Sequence, residues 1–402
     1  MPEAVIVSTA RSPIGRAFKG SLTEVRPDDL AATIIQAAMD KVPGLSHEDI
    51  VDLHLGCGLP GGEQGFNMAR VVTTLLGWET PGTTLTRYCA SSLQTTRMAF
   101  HAIKAGEGDA FISAGVEMVS RYVKGSSDSL EGTMNPRFDD AQARTQEIAQ
   151  SGASGWEPPT GLPDIYIPMG QTAENVALLK GVSRERQDDF AFESQQRYAA
   201  AAADGFWERE VTPVELPNGE TMSVDDSPRP GTEREKLASL APVFRPDGSV
   251  TAGNACPLND GAAAVVITSD EKAKQLGLEP LARIVSTGVS ALNPEIMGLG
   301  PVDATRQALK HAGLSIDDID VAEINEAFAA QVIPSADELG IDFAKLNPHG
   351  GSIAVGHPFG MTGARITGTL LNGLQTLDGT FGLETMCVGG GQGMAMIIER
   401  LK

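Results

Sequence analysis

The chain repeats itself, and a repeat constrains architecture more than any single motif does. Ile6-Val7-Ser8-Thr9-Ala10 resembles Ile284-Val285-Ser286-Thr287-Gly288, and Ile284 lies 278 residues after Ile6. Gly44-Leu45-Ser46-His47-Glu48-Asp49-Ile50 resembles Gly313-Leu314-Ser315-Ile316-Asp317-Asp318-Ile319, and Gly313 lies 269 residues after Gly44. In each half an amphipathic helix precedes the second match, over 30–39 and 304–311. A strand-like stretch follows it, over 51–55 and 321–324. Strands alternating with helices of this length predict parallel sheets covered on both faces by helices. The expected fold class is α/β, built from two pseudo-symmetric βαβαβ halves.

The middle of the chain breaks the pattern. From about 121 to 250 it carries clustered polar, Gly and Pro residues, with helices expected only near 172–179 and 184–203. This reads as an insertion in the first half, and insertions on an α/β scaffold commonly carry substrate contacts. The expected division is 1–120 with 251–275 as the first half, 121–250 as the insertion, and 276–402 as the second half.

A net charge of -21 argues against nucleic acid or an anionic membrane as partner, though an anionic small ligand can still meet a local basic patch. No apolar run approaches the roughly 20 residues of a membrane span. The start shows no basic region followed by an apolar core, and the final Glu399-Arg400-Leu401-Lys402 is not a peroxisomal address. A cytoplasmic protein is expected, with its four dispersed cysteines (Cys57, Cys89, Cys256, Cys387) reduced.

The repeat also points to chemistry. Carried to Cys89, the offset lands on His357, and it carries Arg97 to Arg365, each in a helix that follows directly. Near a pseudo-twofold axis such positions can face each other. Gly56 falls on Asn325, at the carboxyl end of a corresponding strand, where open α/β sheets bind ligands. A thiol at a helix start has its thiolate favoured by unpaired N–H groups, and a neighbouring histidine would complete the activation. The alternatives are a thiol that merely packs and, for the imidazole, a solvent-exposed turn. His349, eight residues earlier, is the competing histidine. After Cys387 the run Val388-Gly389-Gly390-Gly391 frees backbone N–H groups for a ligand oxygen. The residues beyond it read as a strand, which argues against a dinucleotide loop. No Cys or His pair has metal-ligand spacing, so no metal is expected.

Taken together, Arg87-Tyr88-Cys89-Ala90-Ser91-Ser92, Asn325-Glu326-Ala327-Phe328, Gly356-His357-Pro358 and Cys387-Val388-Gly389-Gly390-Gly391 resemble the thiolases over essentially the whole chain. The resemblance implies a five-layered α-β-α-β-α core with a loop-domain insertion, and a homodimer or homotetramer. It implies that Cys89 attacks a 3-ketoacyl-CoA and keeps the acyl group, with His357 taking its proton. Cys387 would protonate the acetyl-CoA enolate. His357 with an Asn325-held water would serve the enolate oxygen, and the Cys89 and Gly389 N–H groups the acyl oxygen. Coenzyme A enters as substrate, with no permanently bound cofactor.

For coenzyme A contacts the resemblance points to Arg229, Lys236, Ala252 and Cys256, and for the pantetheine or acyl path to Met169, Met297 and Phe328. Ordinary core packing is an equal reading for Met297. Two departures stand out: Thr86 replaces a frequent Asn, and Cys256 replaces a serine. Pro168 before Met169-Gly170 resembles the degradative thiolases of fatty-acid β-oxidation rather than the biosynthetic acetoacetyl-CoA enzymes. The other readings are such a biosynthetic enzyme, a ketoacyl-synthase relative, or a non-catalytic acyl-CoA-binding subunit.

Overall fold

The computed structural model describes residues 2–126 and 130–401. The first half runs β1 (Ala4–Arg11), α1 (Pro27–Asp40), β2 (Asp52–Gly56), α2 (Met68–Leu75), β3 (Gly82–Leu85), α3 (Ser91–Ala105) and β4 (Ala110–Met118). Helices α4 (Met169–Lys180) and α5 (Arg184–Ala203) follow, and the half closes with β5 (Asn259–Ser269). The second half runs β6 (Ala282–Ala291), α6 (Gly300–Ala312), β7 (Val321–Ile324), α7 (Ala329–Leu339), α8 (Thr362–Thr376), β8 (Phe381–Val388) and β9 (Gln392–Arg400). The matched segments of sequence do the same work in both halves. Ser46 with Asp49, and Ser315 with Asp318, each form a capping box on a short turn that leads into β2 or β7.

The strands order β7-β8-β9-β6-β1-β5-β4-β2-β3, and the two halves join where Val5 pairs with Arg283 and Ile6 with Ala282. The expectation of parallel sheets is corrected here. β2 pairs parallel with β3 and β4, and β7 with β8, but β5 and β9 run antiparallel to their neighbours. The reason is covalent reach. A parallel neighbour needs a crossover of a dozen or more residues, whereas β8 turns into β9 through Gly389–Gly391 alone. In the first half the equivalent connection, from β4 to β5, is where residues 119–258 are inserted. The insertion also holds a helix the sequence reading missed, Asp139–Ser151, whose few apolar residues leave it mostly exposed.

Alternation along the central strands builds the layers. Val5 and Val7 join a core with Leu30, Ile34, Leu53 and Val266 on the α1 side. Ile6 points the other way, into a core with Leu93, Ile103, Ile366, Leu370 and Met396 around α3 and α8. In β9, Met394 and Met396 face that middle layer, while Ala395 and Ile397 face α6 and α7. With strands buried on both sides, the layers run α-β-α-β-α, and the central one is α3 with α8.

Those two helices touch where they begin. The Ala364 N–H donates to Ser92 Oγ at 2.9 Å. A Cβ on Gly363 would overlap the Leu93 backbone, and one on Gly115 would overlap the Gly360 carbonyl. Gly363→Ala should therefore lower unfolding stability by about 1–3 kcal/mol. An unchanged denaturation midpoint would show that the helix starts are not in contact.

Candidate active site

The contact places the two active ends. A short turn, Tyr88–Ala90, precedes α3, and an equal turn, Phe359–Met361, precedes α8; both helices have 15 residues. The structural equivalent of Cys89 is thus Gly360, and His357 lies three residues before it. The sequence offset of 268 is three residues short of this structural one, so it pairs Cys89 with a residue of the loop just before the second turn. Arg97 is corrected with it. Arg97 reaches Thr287 Oγ1 at a half-buried position, whereas Arg365 is buried in the middle layer.

The Cys89 turn is held from both sides. Ser91 Oγ accepts from the Arg87 N–H at 2.9 Å and donates to the Tyr88 carbonyl at 2.7 Å. Thr86 Oγ1 donates to the Gly58 carbonyl at 2.7 Å and accepts from the Tyr88 N–H at 3.2 Å. Thr86 therefore supplies real support to the turn. Tyr88 sits at φ 45°, a left-handed conformation uncommon for a non-glycine residue and found preferentially at functional turns. The N–H groups of Gly389 and of Cys89 itself converge on the thiol and favour its thiolate, but burial outweighs them and pushes it up to about 12. The expected thiolate-favouring helix start is present. It does not leave the resting thiol ionised.

His357 is buried and fixed at both nitrogens. Thr362 Oγ1 donates to the Pro358 carbonyl at 2.7 Å, so its lone pair must accept from His357 Nδ1, also at 2.7 Å. This assigns the proton to Nδ1 and leaves Nε2 as the acceptor. Asn325 Nδ2 lies 3.2 Å from Nε2. The amide cannot turn over, because Asn325 Oδ1 accepts from Ser352 Oγ at 2.7 Å, and Ser352 in turn accepts from the buried Arg365 Nη2 at 2.7 Å. Burial, and then the Arg365 charge, lower the imidazole pKa to about 3. At neutral pH the resting site therefore pairs a thiol with a neutral imidazole.

Cys387 is fully buried, next to last in β8, packed with Met297, Ala327 and Phe328 and bordered by Met169. Met297 is thus both a core residue and a wall of the thiol's surroundings. Burial, and then the neighbouring Cys89 and Cys256 sulfurs, push the Cys387 thiol well up. Cys256 is raised by burial and by Cys89, so three thiols share one electrostatic neighbourhood. The segment carrying Cys256 runs beside the Asn325 loop: its N–H donates to the Ala327 carbonyl at 3.0 Å, and the Ala329 N–H donates to the Asn254 carbonyl at 2.9 Å.

The outer candidates lie elsewhere. Arg229 and Ala252 are exposed, and Lys236 is exposed and paired with Glu233. Gly253 packs against Leu237 and Leu240, which brings the Ala252 and Lys236 segments together. His349 stacks on Phe206 at 3.9 Å, and burial with Arg209 lowers it to about 4. A cavity of about 540 Å³ opens beside Cys89, walled by Leu59, Tyr88, Met134, Ile165, Met169 and Phe359.

Sequence reasoning missed the groups that hold these parts in place. Glu117 is buried and accepts from the N–H groups of Gly58 (2.6 Å), Leu59 (3.2 Å) and Gly360 (2.8 Å), tying the cavity wall to the His357 loop. A carboxylate inside the apolar run of β4 was the available signal. Glu326 likewise accepts from Ser194, Asn347 and the Ile353 N–H. Among the described residues no cluster of three or more Cys, His, Asp or Glu could hold a metal ion.

A thiol at a helix start, a neutral imidazole whose acceptor nitrogen Nε2 meets the Asn325 amide, and a second buried thiol make an arrangement suited to cysteine-dependent acyl transfer. Residues 4–271 match the family "Thiolase, N-terminal domain", and residues 278–400 match "Thiolase, C-terminal domain". The chain belongs to the thiolase family, enzymes that are acyltransferases acting on acyl-CoA. A β-ketoadipyl-CoA thiolase of Acinetobacter baylyi is 44% identical over 414 residues, covering 100% of both chains. The solved human mitochondrial 3-ketoacyl-CoA thiolase in complex with CoA matches at TM-score 0.86 and 36% identity, over 100% of this chain and 98% of that one. The dimeric peroxisomal thiolase of Saccharomyces cerevisiae matches at 0.89 and 35%, again over 100% and 98%.

The hydrogen-bond chain yields a test. Ser352→Ala removes the donor that orients Asn325 and leaves Arg365 Nη2 without its acceptor. Thiolase kcat should fall about tenfold or more, the cost of a buried orphaned group, with KM within about twofold. Ser352→Thr should restore it. Loss of activity tracking only a loss of folded protein in both variants would contradict the positioning role.

Proposed function

We propose that the chain cleaves 3-ketoacyl-CoA with free coenzyme A to acetyl-CoA and a shortened acyl-CoA, through an acyl group held on Cys89. The convergence of the Gly389 and Cys89 N–H groups on the Cys89 thiol carries this reading, since an acyl oxygen bound to that sulfur finds two fixed donors.

The steps balance with the groups present. The Cys89 proton passes to His357 Nε2 as the sulfur attacks the C3 ketone carbon. The C2–C3 bond breaks, its electron pair becomes the enolate of acetyl-CoA, and the Cys387 proton goes to C2. His357 and Asn325 stabilise the enolate oxygen. Coenzyme A then gives its thiol proton to the Cys387 thiolate and attacks the acyl carbon; Cys89 leaves and regains its proton from His357. A thiol pushed well up in pKa suits Cys387, because its thiolate is a strong base toward a carbon acid.

Coenzyme A is assigned to the insertion, residues 121–250, with 1–120 and 251–275 as the first half. Arg229, Lys236 and Ala252 would take the nucleotide end, and Cys256, Met169, Met297 and Phe328 the pantetheine and acyl path. The exposed rim at Ala252 leading inward past Cys256 to Phe328 supports this route. Pro168 before Met169, and a cavity beside Cys89 larger than an acetyl group needs, favour chain shortening of the β-oxidation type over condensation of two acetyl groups. The Acinetobacter relative's name gives β-ketoadipyl-CoA as a second substrate reading. A cytoplasmic homodimer or homotetramer is the assembly we assign. The dimeric yeast thiolase supports the oligomer.

Acetyl-CoA should leave a covalent acetyl group on Cys89, read by intact mass and peptide mapping. Cys387→Ala should still be acylated but lose cleavage by at least 100-fold. Acylation lost in that variant would mean that the two thiols have been exchanged.

A further inference from the structure

The cavity beside Cys89 differs in chemistry from the rest of the site. Its walls are Leu59, Pro60, Met134, Ile165, Ile167 and Phe359, with the Tyr88 and Tyr166 rings closing it. Among the described residues no Lys or Arg lines it. Its two threonine hydroxyls are already committed, Thr86 donating to the Gly58 carbonyl and Thr133 to the Leu130 carbonyl.

Arg137, three residues beyond Met134, is exposed and does not line the cavity, and three other nearby cations are engaged elsewhere. Arg87, between two lining residues, reaches Gln392, Arg121 is held by Glu63, and Arg144 by Glu295. Two buried carboxyl groups lie behind the walls. Glu117 takes the N–H groups of Gly58 and Leu59, and Asp164 takes the N–H of Tyr166 at 2.9 Å. Both carboxyl groups are buried directly under lining residues.

We infer that this cavity selects a neutral, apolar acyl chain and rejects one ending in a second carboxylate. An apolar tail gains by leaving water here, in a volume that suits a group larger than acetyl. A terminal carboxylate would be desolvated without a cationic partner and against buried acids, which is unfavourable on every count. The inference rests on the thiolase reading of Cys89 and adds the substrate class of that site.

The test compares thiolysis of 3-oxohexanoyl-CoA and 3-oxoadipyl-CoA, which have the same acyl carbon count, with acetoacetyl-CoA as reference and products quantified by mass spectrometry. The expected kcat/KM is at least 100-fold higher for 3-oxohexanoyl-CoA, and higher still for 3-oxodecanoyl-CoA. Met134→Arg, which adds one cation to the outer wall, should narrow the gap at least fivefold. Equal or better use of 3-oxoadipyl-CoA would overturn the inference and leave the thiolase reading standing. A gap unmoved by Met134→Arg would place its cause outside the cavity and overturn the assignment. If none of these esters were cleaved, acetoacetyl-CoA included, the thiolase reading would fall and this inference with it.

Discussion

The site depends on two helices meeting at their first turns. Because α3 and α8 begin in contact, the thiol at one start and the imidazole just before the other belong to one rigid body. Glycines at 115, 360 and 363 make the approach possible, and the Ser92–Ala364 hydrogen bond ties it. Sheets on both sides of this pair leave the helix starts no room to drift. The repeat explains why such a contact exists: two similar halves, each ending a strand and opening a helix at the same level, bring their active ends to a common axis.

Burial then decides the proton positions. Desolvation raises Cys89, Cys256 and Cys387 and lowers His357, so the neutral forms prevail. A site of neutral groups suits chemistry in which each step moves one proton to one acceptor. The hydrogen-bond chain from Arg365 through Ser352, Asn325 and His357 to Thr362 fixes the ring with its proton on Nδ1 and its acceptor Nε2 toward the Asn325 amide. Glu117 extends the same control to the cavity by holding its wall and the histidine loop together.

Much of this was legible in the sequence. The matched segments and the turns that lead into β2 and β7 were legible because capping residues and apolar periodicity are local signals. Cys89, Asn325 and His357 stand out in the sequence through their positions in the repeat, and Cys387 through the glycine run that follows it. The strand directions were not legible, since they depend on how short the β8–β9 turn is in space. The Cys89–His357 correspondence is three residues out of register, because the loop before α8 carries no periodic signal that would fix it. Glu117, Ser352 and Arg365 escaped because their importance lies in partners remote in sequence, which no local pattern announces. Helix Asp139–Ser151 escaped because it buries too little apolar surface to show a period.

The central claim is that the resting site holds a neutral imidazole protonated at Nδ1, with Nε2 as its acceptor. Nitrogen-15 NMR of labelled histidines, with His357 assigned by substitution, measures this directly. The account predicts that His357 stays neutral, with the proton on Nδ1, throughout pH 5 to 9, because its lowered pKa of about 3 puts protonation below that range. An imidazolium signal at pH 7, or a neutral ring carrying its proton on Nε2, would contradict it.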